Sequence, residues 1–169
     1  MKNIYFYWFL GIIGVVVAGA AAMSFVPIAP ASDSQVKETG SYALVASEPF
    51  FDFGTISMSA GKVTHTFNIK NTGKTPTVID KVYTSCMCTI ATLVTQSGSE
   101  GPFGMPGHAA IPRIARSIAP GEEARVDIVF DPAAHGPEGT GKVRRTVYLE
   151  TGGGPDSASQ LTFEATVTP

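Results

Sequence analysis

Residues 63–70 read VTHTFNIK, a stretch in which apolar and polar side chains alternate. Val63, Phe67 and Ile69 share one parity with His65, and the residues between them are polar. Successive side chains of a β-strand point to opposite faces, so this period of two predicts a strand with one buried face and one solvated face. The segment therefore favours a fold in which sheets cover a common core.

The same alternation returns three times later in the chain. Its apolar positions are Ala124, Val126, Ile128 and Phe130, then Val143, Val147 and Leu149, and then Leu161, Phe163, Ala165 and Val167. Further short strands are expected near residues 42–46, 51–56 and 77–84. Turn residues rich in Gly, Asn and Pro separate the segments, because Gly and Asn tolerate the positive φ that tight turns need.

About seven short strands and no amphipathic helix between them predict an all-β fold for residues 41–169. The expected architecture is an immunoglobulin-like antiparallel β-sandwich. The chain has 169 residues, enough for one such domain and an anchor. Its 12 basic and 14 acidic residues give a net charge of −2 without a run of either sign, which argues against nucleic acid as a partner.

An uncharged apolar stretch, IYFYWFLGIIGVVVAGAAAMSFV, occupies residues 4–26. It exceeds the ~20 residues that a helix needs to cross a bilayer, so residues 1–26 are predicted to be a transmembrane signal-anchor. Lys2 precedes the stretch, and the positive-inside rule then puts the N-terminus in the cytoplasm and the domain on the periplasmic side of a bacterial inner membrane. The alternative is a signal peptide cleaved after small residues at 20–22 or 29–31. Residues 27–40 are small and polar, as in a linker.

Five short motifs follow one another in the exported part of the chain. They are FDFGTI at 51–56, VTHTF at 63–67, NTG at 71–73, SCMCT at 85–89 and IAPG at 118–121. This ordered set resembles domain-of-unknown-function family 1573, a bacterial envelope family similar to the Hydin-like and major-sperm-protein-like immunoglobulin modules. The resemblance covers roughly residues 49–167. It implies an exported or surface-attached β-sandwich with no established enzymatic activity.

The chain departs from that family at two places. Met87 stands between the cysteines where relatives usually have Gly, and the distance from Thr89 to the Pro-Gly turn is longer than usual. Residues 91–117 are therefore expected to form an inserted loop, and long loops in compact domains are usually functional or disordered. Residues of the kind enriched at interfaces make this loop a candidate partner-binding surface. They are Phe103, Met105, Ile111, Arg113, Ile114 and Arg116. The alternative is a loop that folds back over the sandwich.

Cys86 and Cys88 are the only cysteines of the chain. If residues 84–90 are extended, both thiols point to the same face. An oxidising compartment favours a disulfide, yet Cα atoms two residues apart in a strand lie about 6.5 Å apart, so the bond would be strained unless the backbone bends. Because a strained bond is reduced more easily, a redox role is one interpretation.

Two other interpretations of the cysteine pair stay open. Reduced thiolates would select a soft ion such as Cu(I), with Met87, Met105 or Met58 as an additional ligand, although Met87 should point away from the thiols. Alternatively, the pair is a structural disulfide or two packed thiols. Beyond Cu(I), no cofactor is expected.

The three histidines are weak candidates for a site. His65 lies on the apolar parity of its strand and is expected to be a hydrogen-bonded core residue. His108 and His135 stand in Gly- and Pro-rich segments and are expected to be solvated.

No catalytic motif occurs in the sequence, so the protein is not expected to be an enzyme. The leading hypothesis is a membrane-anchored, non-catalytic accessory or scaffold subunit that docks to a larger membrane or envelope assembly through its sandwich. The second hypothesis is an envelope protein that handles Cu(I) or thiols with Cys86 and Cys88.

Overall fold

The computed structural model describes residues 43–152 and 154–169. Ten strands lie in this part of the chain. They are β1 (Leu44–Ala46), β2 (Phe50–Ser57), β3 (Val63–Asn71), β4 (Thr77–Thr84), β5 (Thr89–Thr95), β6 (Gly98–Phe103), β7 (Arg116–Ile118), β8 (Glu123–Phe130), β9 (Gly141–Thr151) and β10 (Gly154–Thr168). Two 3-10 turns span Met58–Ala60 and Gly136–Gly139.

None of the helical segments within the described residues is long and apolar enough to span a membrane. The predicted anchor at 1–26 and linker at 27–40 lie outside the described residues, so both stay predictions.

The strands form two five-stranded sheets. The first sheet has the order β1-β3-β8-β5-β6, and the second has the order β2-β10-β9-β4-β7. The predicted all-β architecture of two sheets is confirmed. The expectation of purely antiparallel pairing is wrong at one edge, where β2 runs parallel to β10. The chain crosses from β1 in the first sheet to β2 in the second sheet. There β2 lies beside β10, the last strand of the chain, and this pair makes the edge parallel.

Alternate residues of the strands build the core between the sheets. On β3, Phe67 and Ile69 are buried, while the polar residues of the other parity, from Thr64 to Lys70, are exposed. The predicted inward positions of β8 and β10 are buried without exception, and Val147 and Leu149 of β9 are fully buried. The period of two therefore identified the inward faces of the long strands, because only one parity of each strand meets the core.

The FDFGTI motif is a bulged edge strand. Phe51 pairs with Phe163 and Asp52 with Glu164, but Thr55 pairs with Thr166, so β2 carries one extra residue. That residue is accommodated at Gly54, whose φ is +67° and whose amide donates to the Asp52 carboxylate at 2.8 Å. Glycine adopts this conformation without a Cβ penalty, and the bulge changes which parity of the strand faces inward.

The segment 91–117 is not a single loop, which corrects the sequence-based expectation. It contains most of β5, all of β6, and the first two residues of β7. Ala91 and Leu93 are fully buried, so this part of β5 belongs to the core. The β5–β6 hairpin extends the first sheet, whereas β7 pairs with β4 at the edge of the second.

Candidate functional site

The two cysteines lie in the turn that carries the chain from one sheet to the other. β4 of the second sheet ends at Thr84, and β5 of the first sheet begins at Thr89. The backbone over residues 84–90 therefore bends instead of staying extended, which is the alternative under which a disulfide is not strained. The Thr89 amide donates to the Cys86 carbonyl at 3.1 Å, and the Thr84 hydroxyl donates to the same carbonyl at 2.9 Å.

This bend brings the cysteines within disulfide distance. Cys86 and Cys88 form a disulfide, and their Cα atoms are 5.3 Å apart. That separation lies in the ordinary range for disulfides, so the objection based on an extended strand no longer holds. The sulfurs sit at the end of the core, since Cys86 is 8% exposed and Cys88 is 3% exposed. Met87 between them is 47% exposed.

Neighbouring segments hold the turn on both sides. The Ser85 amide donates to the Thr146 carbonyl of β9, and the Ser85 hydroxyl accepts from the Thr146 amide, both at 2.9 Å. On the other side the Asp131 amide donates to the Cys88 carbonyl at 2.9 Å. The backbone of the turn is therefore fixed to β9 and to the end of β8.

His135 lies beside Cys86, which the sequence did not predict. Its Nε2 is 3.1 Å from the Cys86 Sγ, although the residue is exposed, as expected for a loop histidine. The loop that carries it begins directly after β8 and is closed by the Asp131 carboxylate, which accepts from the Ala133 amide at 3.0 Å. Since Asp131 also bonds the Cys88 carbonyl, the histidine loop and the cysteine turn are tied together.

Arg145 of β9 lies beside the other cysteine. Its Nε donates to the Cys88 Sγ at 3.3 Å, and its Nη1 donates to the Arg144 carbonyl at 2.9 Å. Burial lowers the pKa of Arg145, and no carboxylate in the described part of the chain forms an ion pair with it. A half-buried guanidinium without a carboxylate is costly unless an anion is offered, and a Cys88 thiolate would be that anion.

The sequence contains a signal for Arg145 but none for His135. Arg145 stands on the same parity as Val143, Val147 and Leu149, so a charged side chain interrupts the inward face of β9. Such a residue needs a polar partner near the core. His135 is 49 residues from Cys86 in sequence and follows no pattern of spacing, so only the tertiary structure brings it to the site.

Three potential metal ligands meet here. The Sγ atoms of Cys86 and Cys88 and a ring nitrogen of His135 all lie within 4.8 Å of one another. A shallow groove of about 440 Å³ opens beside this group. Its lining includes His135, Arg145 and the charged residues Glu138 and Lys142.

The predicted partner-binding residues are dispersed rather than collected on one exposed loop. Phe103 is 4% exposed and packs in the core, which rules it out as a surface anchor. Ile114 is partly buried and packs against the same core. Met105 and Ile111 are half-buried in the connection between β6 and β7.

Both arginines of that set have carboxylate partners within the domain. Arg113 Nε lies 2.8 Å from the Asp80 Oδ1, and Arg116 forms an ion pair with Glu100. Arg116 Nη1 also donates to the Ser97 hydroxyl at 2.7 Å. The two charges are therefore less available to a partner than the sequence suggested.

His65 occupies the inward position that its parity predicts. Its ring stacks on Phe51 with centroids 3.7 Å apart and meets the edge of Phe67 at 4.6 Å. Its Nε2 has no hydrogen-bond partner in the described structure and lies 3.7 Å from the Glu48 carboxylate. The expected hydrogen bond is thus absent, and aromatic packing holds the ring. His108 is exposed, as expected.

Comparison with solved structures shows the fold alone. A protein of unknown function from Porphyromonas gingivalis W83 is similar at a TM-score of 0.51 and 15% identity, over 73% of this chain and 46% of that one. The chain thus spans less than half of that relative. PapD-like domain 7 of human CEP192 is similar at a TM-score of 0.40 and 15% identity, over 83% and 94% of the two chains. The CooA pilin subunit of enterotoxigenic Escherichia coli is similar at a TM-score of 0.41 and 13% identity, over 75% of this chain and 97% of that one.

No curated protein sequence matches the chain significantly. A family model does match, and its span begins with β1 and ends with β6, so that it includes the cysteine turn. The resemblance deduced from the five motifs is confirmed over this span: residues 44–103 match the family described as protein of unknown function DUF1573.

Proposed function

We propose that the protein is a thiol–disulfide exchange module, in which the Cys86–Cys88 pair of an immunoglobulin-like sandwich accepts electrons from a dithiol donor. The observation that carries the proposal is that each sulfur has its own polar neighbour. His135 lies 3.1 Å from the Cys86 Sγ, and Arg145 donates to the Cys88 Sγ at 3.3 Å. Polar neighbours of this kind add little to the stability of a structural cross-link. A disulfide that is reduced in use needs them, because they stabilise the two thiolates that reduction produces.

The two neighbours suggest a direction for the exchange. A thiolate of the donor attacks the Cys86 Sγ, the S–S bond breaks, and Cys88 leaves as a thiolate facing Arg145. The second thiolate of the donor then attacks the donor sulfur that is bonded to Cys86. This forms the donor's disulfide and releases Cys86 as a thiolate. Two electrons pass to this protein, the donor becomes a disulfide, and the protons of the donor thiols go to solvent or to the released cysteines.

Cys86 is the better point of attack for two reasons. It is the more exposed of the two cysteines, at 8% against 3%, and it adjoins an exposed histidine that borders the groove. Cys88 is the better leaving group, because the guanidinium stabilises negative charge on its sulfur.

The reduction potential tests this proposal. Equilibration of the full chain in glutathione buffers, with alkylation of free thiols and mass spectrometry, should give a value in the range of thiol–disulfide carriers, about −120 to −270 mV. A value below about −300 mV, typical of structural disulfides, would overturn it.

An arginine pair on β9 provides a matched comparison. Arg145→Gln should make the potential more negative by on the order of 30 mV, because 30 mV corresponds to about 1.4 kcal/mol and a hydrogen bond to a charged group contributes about that much. Arg144→Gln should leave the potential unchanged, since Arg144 lies on the opposite face and pairs with Glu164 at 3.6 Å. Equal shifts in both variants would contradict the role of Arg145.

A second proposal concerns where the module works. We propose that residues 1–26 anchor it as a single span in a bacterial inner membrane, with the N-terminus cytoplasmic and the sandwich periplasmic. The disulfide supports export, because disulfides persist in oxidising compartments. In this setting the protein is an accessory subunit of a membrane or envelope assembly.

A surface groove supports the accessory role. It measures about 400 Å³ and lies between β6 and the following connection, with Pro102, Ala110, Pro112 and Ile114 in its lining. Purification of the intact protein from mild-detergent membranes should yield a stoichiometric partner. Recovery of a free monomer would count against the accessory role and would leave the exchange chemistry unaffected.

A further inference from the structure

We propose that the reduced pair is also a metal site, in which Cys86, Cys88 and His135 bind one Cu(I) ion. The three ligand atoms already lie within 4.8 Å of one another. Ligands at about 2.0 to 2.3 Å from a shared ion lie roughly 4 Å apart in a trigonal plane, so small side-chain movements suffice once the disulfide opens. The inference rests on the proposed function in one respect, because the disulfide must be reducible.

The backbone preorganises these three ligands. Asp131 ties the histidine loop to the Cys88 carbonyl through its amide and closes that loop through its carboxylate. The Gly136 amide donates to the Ala133 carbonyl at 2.9 Å and completes the turn around His135. Binding therefore requires rotation of side chains rather than the ordering of a flexible segment, which keeps the entropic cost of the site low.

The surroundings supply donors to the sulfurs. The Cys88 amide donates to the Cys86 Sγ at 3.4 Å, and Arg145 donates to the Cys88 Sγ at 3.3 Å. The Thr89 hydroxyl lies 3.7 Å from the Cys88 Sγ. Such outer contacts orient metal ligands and stabilise the charge on thiolates.

The charge of the site favours a monovalent ion. Two thiolates and Cu(I) form a complex with one negative charge, which the guanidinium of Arg145 would neutralise. Zn(II) would give a neutral complex, would leave Arg145 without an anion, and would need a water molecule as its fourth ligand. Thiolates are soft donors that suit Cu(I), and imidazole also binds copper.

The decisive experiment uses the full chain, reduced by a phosphine under anaerobic conditions, desalted, and assayed for free thiols. Cu(I) is then titrated in competition with a chromophoric Cu(I) chelator. The expected result is one Cu(I) per chain, with two sulfur ligands and one nitrogen ligand in X-ray absorption spectra. Cys86→Ser/Cys88→Ser should abolish binding.

Two histidine variants isolate the third ligand. His135→Ala should weaken Cu(I) binding by at least about tenfold. Loss of an outer contact to a metal ligand already costs about this much, and the loss of a direct ligand should cost no less. His108→Ala is the matched control and should bind as the wild type does, because His108 is an exposed loop histidine outside the cluster. Equal affinity in wild type and His135→Ala would overturn the assignment of His135.

Arg145→Gln tests the choice of ion. It should weaken Cu(I) binding by about 10- to 100-fold and Zn(II) binding by less, because only the Cu(I) complex carries a net negative charge. If the wild type binds Zn(II) more tightly than Cu(I), the proposed preference of the site for Cu(I) is overturned.

The thiol assay separates this inference from the proposed function. Two free thiols without Cu(I) binding would overturn the metal site alone. A pair that resists the reductant would overturn both.

Discussion

Asn71 is a buried polar residue that joins two turns. Its amide nitrogen donates to the carbonyls of Thr75 at 2.9 Å and Ile118 at 2.8 Å, and its side-chain oxygen accepts from the Gly73 amide at 2.9 Å. Asn71→Ala would leave the buried Ile118 carbonyl and two part-buried backbone groups without these partners, so we expect a loss of about 3 kcal/mol in the free energy of unfolding.

Urea unfolding checks this value against a control on the same strand. Asn68 is exposed on β3, and Asn68→Ala should change the free energy of unfolding by less than about 0.5 kcal/mol. Similar losses in the two variants would show that the hydrogen bonds of Asn71 are replaced by water.

His65 should make the stability depend on pH. Burial lowers the pKa of His65 from its ordinary value of 6.5, and the nearby Glu48 offsets only part of this effect. Because the unfolded chain then binds the proton more readily, the contribution of neutral His65 is present above pH 6.5 and is lost as the pH falls through the lower pKa of the folded state.

The test for His65 compares urea midpoints at pH 7.5 and 5.5. His65→Phe keeps an aromatic ring against Phe51 and removes the titration, so the variant should lose less stability than the wild type between the two pH values. An unchanged difference would assign the acid sensitivity to other groups.

At the scale of elements, the Gly54 bulge determines which side chains of β2 reach the core. Phe51 and Phe53 face inward before the bulge, and Ile56 does so after it. Gly54 has a φ of +67° and no atom within 4 Å of a built Cβ, so Gly54→Ala meets backbone strain and no clash. We expect it to cost about 1 to 2 kcal/mol, visible as a lower melting temperature.

Gly152 is the matched control for Gly54. It lacks a positive φ, and an added Cβ would meet only the Asp80 carboxylate at 3.9 Å. Gly152→Ala should therefore be close to neutral. A larger loss at Gly152 than at Gly54 would contradict the assignment of strain to the bulge.

The β5–β6 hairpin is the largest element that sequence patterns missed, and the short strand β7 was missed as well. β6 reads GSEGPF, which has no apolar alternation because the strand lies at the edge of its sheet and buries little besides Phe103. Its position depends on pairing with β5 through backbone hydrogen bonds, which do not require a pattern of apolar side chains. β3, β8 and the part of β10 from Leu161 onward were predictable because their inward and outward residues alternate regularly there.

For the whole molecule, the disulfide should matter little to stability. It joins residues two apart, and in the chain-entropy description such a short loop contributes less than about 2 kcal/mol, against about 3 kcal/mol for a 15-residue loop. The two cysteines lie at the end of the core, and most of its buried side chains come from other parts of the two sheets.

We therefore expect the Cys86→Ser/Cys88→Ser variant to fold and to unfold within about 2 kcal/mol of the oxidised wild type. Denaturant unfolding monitored by far-UV circular dichroism measures this difference. A loss above about 4 kcal/mol would identify a structural cross-link and would argue against the exchange function.

The sequence by itself determined the inward faces of the long strands, the turns between them, and the family resemblance, because these depend on neighbours within a few residues. It also supplied the cysteine pair, but not its surroundings. The tertiary structure alone decided the bend that brings Cys86 and Cys88 together and the approach of His135 and Arg145, which lie 49 and 57 residues from the cysteines that they contact. Contacts across two sheets depend on how strands from distant parts of the chain are ordered, and local periodicity carries no record of that order.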